Sequence, residues 1–537
     1  MPKAKSGEGV LALDLGTSSV RAVVYDVHGA MVDATLFDLP YKVRTTEAGE
    51  VSSDPDSLVK LIAESIDGAL KAARKDDIDI IAVGVSCYWH SLMGVDRAGR
   101  PTTELFTWAD TRSAPETRAM RARFDERAYH ARTGCFFHAS YWPAKLRWLR
   151  ATRASAVRRT ARWMSLGEYL YQALHDDARV SHSIASGTGL LDVNRCQWDA
   201  DALRLAGITT EHLSPLTDWD QPARSLRPSF ASRWPELRDV PWYLPLGDGG
   251  LANIGAGCIS PRWACATIGT SSALRVLLDR KRVTVPWGTF VYRVDRRRVV
   301  LGGALSEGGN VVRWFTDTLG LKPKKKFERA AGALPPDSHG LTVLPFWAGE
   351  RSPNWRGDAR AAIAGLSLGT QPAQMLRAAM EAITYQLVAV AAAMQRVVPR
   401  PESVIATGGQ LVHSPAWSQM LADALDLRVT TSPQPEASSR GAALLALHAL
   451  GKLPKLWSLR PARGRSYRPR ATAHARYERA RRRQQRLYEL LFPPLGESER
   501  GAPTLPSPRS VGKPKTPIVA VGSSSRRKDL RSQAAKH

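Results

Sequence analysis

The stretch that decides the fold is Leu11-Ala-Leu-Asp-Leu-Gly-Thr-Ser-Ser-Val-Arg-Ala-Val-Val-Tyr25. Its first half alternates leucine with smaller or polar residues, and its second half is rich in β-branched side chains, so the pattern predicts two strands. Gly16 between them permits the backbone angles that a sharp turn needs. Thr17, Ser18 and Ser19 add hydroxyl groups and free amide groups to this turn. The stretch therefore predicts a β-hairpin whose tip suits an anion.

A second copy of this pattern comes much later, at Ala266-Thr-Ile-Gly-Thr-Ser-Ser-Ala-Leu-Arg-Val276. The Gly-Thr-Ser-Ser turn is repeated between similar apolar strands. The difference is that Asp14 of the first copy is replaced by Thr267 in the second. Two such turns, of which one has a carboxylate, suggest two half-sites that close on one phosphate chain.

Length and charge set the broad class of the protein. The chain has 537 residues, which is enough for about two or three domains with a large core. Its net charge is +26, and arginine is crowded between Arg460 and Arg486 and near the end of the chain. We interpret this charge as a solvated surface and a basic tail. Nucleic-acid binding is the alternative, and it is not expected because no RNA- or DNA-binding motif accompanies the charge.

Cysteine usage and hydropathy bear on location. The five cysteines are scattered and form no C-x-x-C pair, which favours a reducing compartment and argues against a zinc site. The first residues have no apolar leader core, and the longest apolar run, Leu387 to Met394, is too short to span a bilayer. We therefore expect a cytoplasmic protein that has no membrane partner. The sequence leaves the oligomeric state open, with a homodimer as one option.

Alternating helix and strand signals predict an α/β fold. Residues 31–39 continue the hairpin as a predicted third strand. Asp54 and Pro55 have the pattern of an N-cap followed by proline at the first helical position. Residues 78–85 form a dense β-branched run that is typical of a buried parallel strand. A second antiparallel pattern begins at Cys265, which predicts a second domain of the same kind.

Polar and aromatic residues follow the predicted parallel strand, where functional groups gather in open α/β sheets. Aromatic rings beside charged hydrogen-bonding groups suit a polyol. The candidate lining residues are Trp89, His90, Trp108, Asp110, Arg112 and Lys145. The alternative is that both tryptophans belong to the core and that Arg112 makes a surface ion pair.

Two further segments combine a strand with a glycine turn. Residues 244–257 run from a strand through Gly247 into a small-residue helix, so that Asp248 lies at the helix N-terminus. An N-cap without chemistry is the alternative, but the second phosphate-type turn follows shortly afterwards. Gly408 and Gly409 end another predicted strand, and a flat ring can lie against such a backbone.

Taken in order, these segments resemble the FGGY carbohydrate kinases of the actin-like ATPase superfamily. The likeness covers about residues 9–492 and includes the segment Gly349-Glu-Arg-Ser-Pro353. The resemblance implies an α/β protein with two actin-like (ribonuclease H-like) domains and a cleft between them. The implied boundaries are 1–258 for sugar and phosphate binding and 259–492 for nucleotide binding. The Pro-, Ser-, Gly- and Lys-rich composition that follows predicts a basic disordered tail at 493–537.

The resemblance also implies the chemistry. ATP and Mg²⁺ are the implied nucleotide and metal, Asp14 would hold Mg²⁺ through oxygen, and Asp248 would accept the proton of the attacking sugar hydroxyl. The implied sugar-binding residues are the polar and aromatic lining residues named above together with Asp248. The implied ATP-binding residues are Gly16, Thr17, Ser18, Ser19, Gly269, Thr270, Ser271, Gly408, Gly409 and Gln410.

Within the family, residues 89–96 and 107–112 look most like bacterial gluconate kinases. Gluconate carries a carboxylate, and His90, Arg112 and Lys145 are the candidate cationic partners, with Arg112 favoured for its two-pronged guanidinium. A pentulose kinase remains the alternative within the family. An actin- or Hsp70-like ATPase without a sugar acceptor is the alternative of another class.

Overall fold

The structure is a computed structural model that describes residues 7–320 and 324–493. The predicted tail, residues 493–537, lies outside the described residues apart from Pro493. Two mixed β-sheets organise the described chain, and each is built on one copy of the repeated hairpin.

The first sheet has five strands in the order β5-β4-β1-β2-β3. They are β1 Gly7–Leu15, β2 Ser19–Asp26, β3 Phe37–Pro40, β4 Ile78–Cys87 and β5 Leu246–Gly247. Strands β1, β2 and β3 are antiparallel, whereas β4 and β5 run parallel to β1. The hairpin and the buried parallel strand are thereby confirmed. The predicted third strand, residues 31–39, is wrong in its first half. Asp33–Thr35 forms a 3₁₀ turn instead, and the Thr35 hydroxyl accepts a hydrogen bond from Val24 N of β2.

The second sheet has seven strands in the order β8-β9-β7-β6-β10-β11-β12. They are β6 Trp263–Ile268, β7 Ser272–Asp279, β8 Phe290–Arg293, β9 Arg298–Leu305, β10 Ser403–Thr407, β11 Arg428–Thr431 and β12 Ser466–Tyr467. Strands β6, β7 and β9 are antiparallel, and β10 and β11 run parallel to β6. The central five strands therefore repeat the directions and the order of the first sheet.

The two sheets also match in register at the site. Asp14 on β1 lies opposite Arg21 and Ser86. Thr267 on β6 lies opposite Thr407 on β10, and their hydroxyl oxygens are 2.7 Å apart. Asp14 and Thr267 thus occupy equivalent positions at the ends of equivalent strands, as the two sequence copies predict.

Helices cover the sheets and connect them. They are α1 Pro55–Lys75, α2 Ala114–Arg123, α3 Glu126–Thr133, α4 Trp142–Thr152, α5 Ala154–Arg159, α6 Leu166–His175, α7 His182–Ser186, α8 Ala200–Ala206, α9 Pro228–Arg233, α10 Asp248–Gly255, α11 Gly309–Thr318, α12 Lys324–Ala333, α13 Pro372–Met394, α14 Gly409–His413, α15 Pro415–Leu425, α16 Ala437–Ala449 and α17 Ala471–Leu491. Short two- and three-residue strands join the loops, at Arg44–Thr45, Val51–Ser53, Met93–Val95, Leu105–Phe106, Arg162–Met164, Val180–Ser181, Leu191–Asp192, Gln197–Trp198, Leu216–Thr217, Thr342–Leu344 and Ala362–Ala364. The predicted N-cap of α1 is confirmed, because the Asp54 carboxylate accepts a hydrogen bond from Ser57 N at 2.7 Å.

Helix α16 lies in sequence between β11 and β12 of the second sheet but packs its Ala442–Leu447 side chains into the core of the first. Its backbone meets α10 closely. A Cβ at Gly255 would lie 1.9 Å from Ala437 O, and one at Gly441 would lie 2.1 Å from Leu251 O. The two helices therefore join the halves of the chain through a contact that only glycine permits.

Among the described residues, α13 is the one helix that is long and apolar enough to cross a membrane by length and composition. Its most apolar window is 67% buried inside the protein. Burial of this kind is what a core helix of the second half requires.

Candidate active site

The first turn places open backbone and hydroxyl groups beside a buried carboxylate. Gly16 N donates to Ser19 O at 3.0 Å, and Tyr41 OH donates to Gly16 O at 2.7 Å, so the turn is fixed. The Thr17 and Ser18 side chains remain accessible. Asp14 is 7% exposed, and its Oδ2 lies 3.3 Å from Arg21 Nη1. Burial raises the pKa of Asp14, while Ser86 and Arg21 favour its ionised form.

Asp248 is the first residue of α10, and it lies half-buried at the end of β5. Its Oδ1 accepts a hydrogen bond from Gly249 N at 2.7 Å. Burial, and after it the negative charge of Asp14, raises the pKa of Asp248 to about 6, although Arg275, the Gly249 amide and Arg351 oppose the shift. The two carboxylates therefore share one electrostatic environment, and Asp248 is poised to gain or lose a proton near neutral pH.

Trp89 packs directly against the backbone that carries Asp248. A Cβ at Gly247 would lie 1.8 Å from Trp89 Cε2, and one at Gly187 would lie 2.4 Å from Trp89 Cδ1. The indole Nε1 donates to Ser183 O at 2.9 Å. Glycine at these positions lets the ring lie flat beside the acid, so that Trp89 fixes one wall of the pocket.

His90 follows in a left-handed conformation with φ of 73°, which is uncommon for a residue with a Cβ and indicates local strain at the site. Its Nδ1 is hydrogen-bonded to Gly187 O. Burial and the charge of Arg351 hold the pKa of His90 well below its ordinary value. The ring is therefore neutral, and edge contacts with Tyr141 and Tyr292 complete its surroundings.

The second turn and the Gly408 turn form one glycine-lined surface. Gly309 N, at the start of α11, donates to Gly269 O at 2.7 Å, and a Cβ at Gly269 would meet nothing within 4 Å. Gly408 has φ of 80°, and a Cβ there would lie 2.6 Å from Ile268 O. Gln410 lies against Gly309. The geometry thus brings together the segments predicted for the nucleotide, with space above the Gly269 turn for phosphate.

Asp110 and Arg112 form an ion pair with each other. Arg112 Nη2 lies 2.6 Å from Asp110 Oδ2, and its Nη1 lies 3.5 Å from Glu50 Oε2. The guanidinium also stacks on Trp148, with the carbon 4.7 Å from the ring centroid. Arg112 is therefore occupied by two carboxylates and an aromatic ring. The alternative expected a surface ion pair, whereas this pair is largely buried, with side-chain exposures of 11% for Arg112 and 2% for Asp110.

Lys145 is also engaged. It is 1% exposed, and its Nζ donates to Ala139 O and to Ser140 O, the latter at 2.8 Å. Burial lowers the pKa of Lys145 to about 7. The ammonium group thus holds the turn before α4 together, and its donors are directed to backbone carbonyls.

Arg351 is the site residue that sequence analysis missed. It lies in the charged turn at 349–353, although that turn does not pair its own charges, because Glu350 accepts hydrogen bonds from Tyr488 and Asn354 instead. The Arg351 guanidinium carbon lies 5.3 Å from the Trp108 ring centroid and 5.6 Å from that of Trp355. The charged turn in the sequence was the signal, but nothing in the sequence placed it beside Trp108.

The residues fit a divalent cation. The negative charge of Asp14 raises the pKa of Asp248, and Arg21 contacts only one oxygen of the Asp14 carboxylate. Mg²⁺ is commonly held by one or two carboxylates together with substrate phosphates. Thr267, at the equivalent position of the second half, offers a hydroxyl that Arg275 already contacts at 2.8 Å, so the cation would lie on the Asp14 side.

Two known family domains match this chain. Residues 9–255 match the N-terminal domain of the FGGY family of carbohydrate kinases, and residues 264–450 match its C-terminal domain. The chain belongs to the FGGY family of carbohydrate kinases. The resemblance in the sequence is confirmed, as is the two-domain α/β fold.

Similar proteins in the family differ in their acceptors. A gluconokinase of Bacillus subtilis (strain 168) is 28% identical over 470 residues, which are 86% of this chain and 91% of the relative. Glycerol kinases of several bacteria are 27–30% identical. A gluconate kinase and a ligand-bound xylulose kinase, both from Lactobacillus acidophilus, each have a TM-score of 0.84 and 25% identity. They cover 92% and 91% of this chain, respectively, and all of the matched chains. The comparisons therefore define a sugar kinase and leave the acceptor open.

Proposed function

We propose that this protein transfers the γ-phosphoryl group of ATP to D-gluconate and forms 6-phospho-D-gluconate. The observation that carries the proposal is the position of Asp248, at a helix N-terminus whose glycines contact Trp89 and where the charge of Asp14 is felt. The similarity to gluconokinases supports the choice of acceptor. In this proposal residues 1–258 bind the sugar, residues 259–492 bind the nucleotide, and the enzyme acts in the cytoplasm.

Asp248 acts as the general base. It accepts the proton of the attacking hydroxyl while that oxygen bonds to the γ-phosphorus and the bond to the β-γ bridging oxygen breaks, so that ADP leaves. Backbone amides of the Gly16 and Gly269 turns hold the phosphate chain. Mg²⁺, held by Asp14, would neutralise charge on the phosphates. Trp89 and the neutral His90 orient the sugar and exclude water from the carboxylate.

The experiment is an acceptor panel read by ADP release. D-Gluconate, D-xylulose, glycerol and a reaction without acceptor are compared at equal ATP. The proposal expects the highest kcat/KM with D-gluconate. A higher kcat/KM with D-xylulose would favour the pentulose kinase, which the equal structural similarity to a xylulose kinase supports as second candidate. Equal ADP release without any acceptor would contradict a sugar kinase.

A further inference from the structure

Arg351 carries a buried charge that acts on the Asp248 and Glu307 carboxylates through space, without an ion-pair contact to either. Arg351 is 9% exposed, and its Nε has no hydrogen-bond partner. No carboxylate among the described residues pairs with it, whereas the neighbouring Glu350 is bonded to Tyr488 and Asn354. Burying a guanidinium whose Nε has no hydrogen-bond partner is costly, since that N–H has left water without gaining a hydrogen bond in return. A bound anion would remove this cost.

The guanidinium lies among the aromatic and titratable groups of the candidate site. It lies between the rings of Trp108 and Trp355, at 5.3 and 5.6 Å from their centroids. Its charge lowers the pKa of His90, of His138 and of Asp248. These three groups come from different segments of the first half of the chain, so Arg351 is close to the place where they meet.

The turn that carries Arg351 is anchored and does not depend on the guanidinium for its position. Trp355 is fully buried and stacks on Phe136 with a centroid distance of 4.8 Å and an angle of 16°. Arg121 Nη2 donates to Trp355 O at 2.9 Å. A segment of the second half is thereby fixed against the first half, with the Arg351 side chain free to meet a ligand.

The other cations around the pocket are already engaged. Arg112 is paired with Asp110 and Glu50. Lys145 donates to two backbone carbonyls. His90 is neutral because burial lowers its pKa. The three cationic partners predicted from the sequence are therefore paired with carboxylates, bonded to backbone carbonyls or neutral.

We propose that Arg351 binds the carboxylate of a sugar-acid acceptor through its two-pronged guanidinium. This inference rests on the proposed sugar-kinase function and names the residue that selects acids over neutral polyols. A guanidinium matches a carboxylate with two parallel hydrogen bonds, and the flanking indole rings hold its plane. The acceptor would then be held by the first half through Trp89 and Trp108 and by the second half through Arg351.

The experiment compares D-gluconate with D-glucitol, which has the same hydroxyl pattern but no carboxylate, in wild type and in Arg351→Gln. We expect the KM for D-gluconate to rise about 10- to 100-fold in the variant, the loss typical of a charge-assisted hydrogen bond. Its kcat and the KM for ATP should stay within about threefold, because uniform acceptor binding is what is lost. The preference for D-gluconate over D-glucitol should disappear.

Two further variants serve as controls. Arg351→Lys keeps the charge but loses the fork, so part of the D-gluconate KM should be recovered. Arg360→Gln removes an exposed arginine that follows this turn and bonds only to backbone carbonyls, and its kinetics should match wild type. Unliganded Arg351→Gln should unfold at the wild-type temperature or above it, because the charge it removes is unpaired.

The outcomes separate this inference from the proposed function. A D-gluconate KM within twofold of wild type in Arg351→Gln overturns the inference while the kinase stands. Equal loss of kcat for both acceptors, with KM unchanged, also overturns it and assigns Arg351 to phosphoryl transfer. If wild type prefers another sugar acid and Arg351→Gln loses that preference, the inference about Arg351 holds and D-gluconate is wrong as the acceptor. If wild type accepts neutral sugars only, both the inference about Arg351 and the choice of D-gluconate as the acceptor are contradicted.

Discussion

At the scale of single residues, the site depends on two carboxylates in different roles. Asp14 lies on β1 and Asp248 begins α10 directly after β5, yet the charge of Asp14 contributes to the raised pKa of Asp248. Their environments differ, because Asp14 has Arg21 at 3.3 Å, whereas Asp248 has a single backbone amide donor in Gly249. Such a pair suits Asp14 for binding a cation and Asp248 for accepting a proton.

The raised pKa of Asp248 predicts the pH dependence of the reaction. A general base must be ionised, and its pKa is about 6, so kcat/KM should be constant above this pH and should fall as pH drops below it. The measurement is kcat/KM for D-gluconate between pH 5 and 8. A profile without an acid limb in this range would contradict the role of Asp248.

The variant Asp14→Asn is the control for this profile. It removes a negative charge that raises the pKa of Asp248, so the acid limb should move to lower pH in whatever activity remains. An unchanged limb would mean that another group is being titrated.

The sequence predicted the residues that depend on local pattern. Both Gly-Thr-Ser turns, the helix N-terminus at Asp248 and the Gly408 turn lie where the motifs place them. The partner of an acidic acceptor was not predictable in this way. Arg112 meets Asp110 and Glu50 by tertiary folding, and Arg351 reaches Trp108 from far along the chain. Only the folded chain shows which arginine is left unpaired.

At the scale of elements, α10 and α16 set the position of Asp248. Helix α10 carries the acid at its first residue, and α16 packs against it with the backbone of Ala437 at Gly255. The small-residue start of α16 was visible in the sequence, but its packing against the first sheet was not, because it belongs to the second half of the chain.

The variant Gly255→Ala tests this contact. The added Cβ would lie 1.9 Å from Ala437 O, so the helices must move apart, at a cost of about 1–3 kcal/mol. We expect a lower thermal unfolding midpoint and a reduced kcat, since α10 carries Asp248.

The matched control is Gly7→Ala, at which a Cβ would meet nothing within 4 Å. Its stability should stay within about 0.5 kcal/mol of wild type. Equal midpoints for the two variants would show that the α10–α16 contact does not require glycine.

At the scale of the whole molecule, the fold is one strand pattern used twice. Both sheets contain three antiparallel strands followed by two parallel strands, and the second sheet adds one strand at each edge. The repeated Gly-Thr-Ser motif predicted this duplication. The edge strands and the α16 crossover depend on long-range packing that no local pattern encodes.

The duplication explains why the site is asymmetric. The first half supplies Asp14 and Asp248, and the second half has Thr267 at the position equivalent to Asp14. In the proposed function the first half therefore holds the cation and the base, and the second half presents glycine-lined backbone to the nucleotide. The Arg351 turn adds a charge from the second half to the acceptor pocket.

The most direct test of the central claim is the variant Asp248→Asn, assayed with ATP and D-gluconate for formation of 6-phospho-D-gluconate. The amide has nearly the same shape but cannot accept the proton, so kcat should fall about 10²- to 10⁴-fold. Because Asp248 is assigned to proton transfer, the Kd for ATP should stay within about twofold of wild type. Retention of more than about a tenth of the wild-type kcat would contradict general-base catalysis by Asp248.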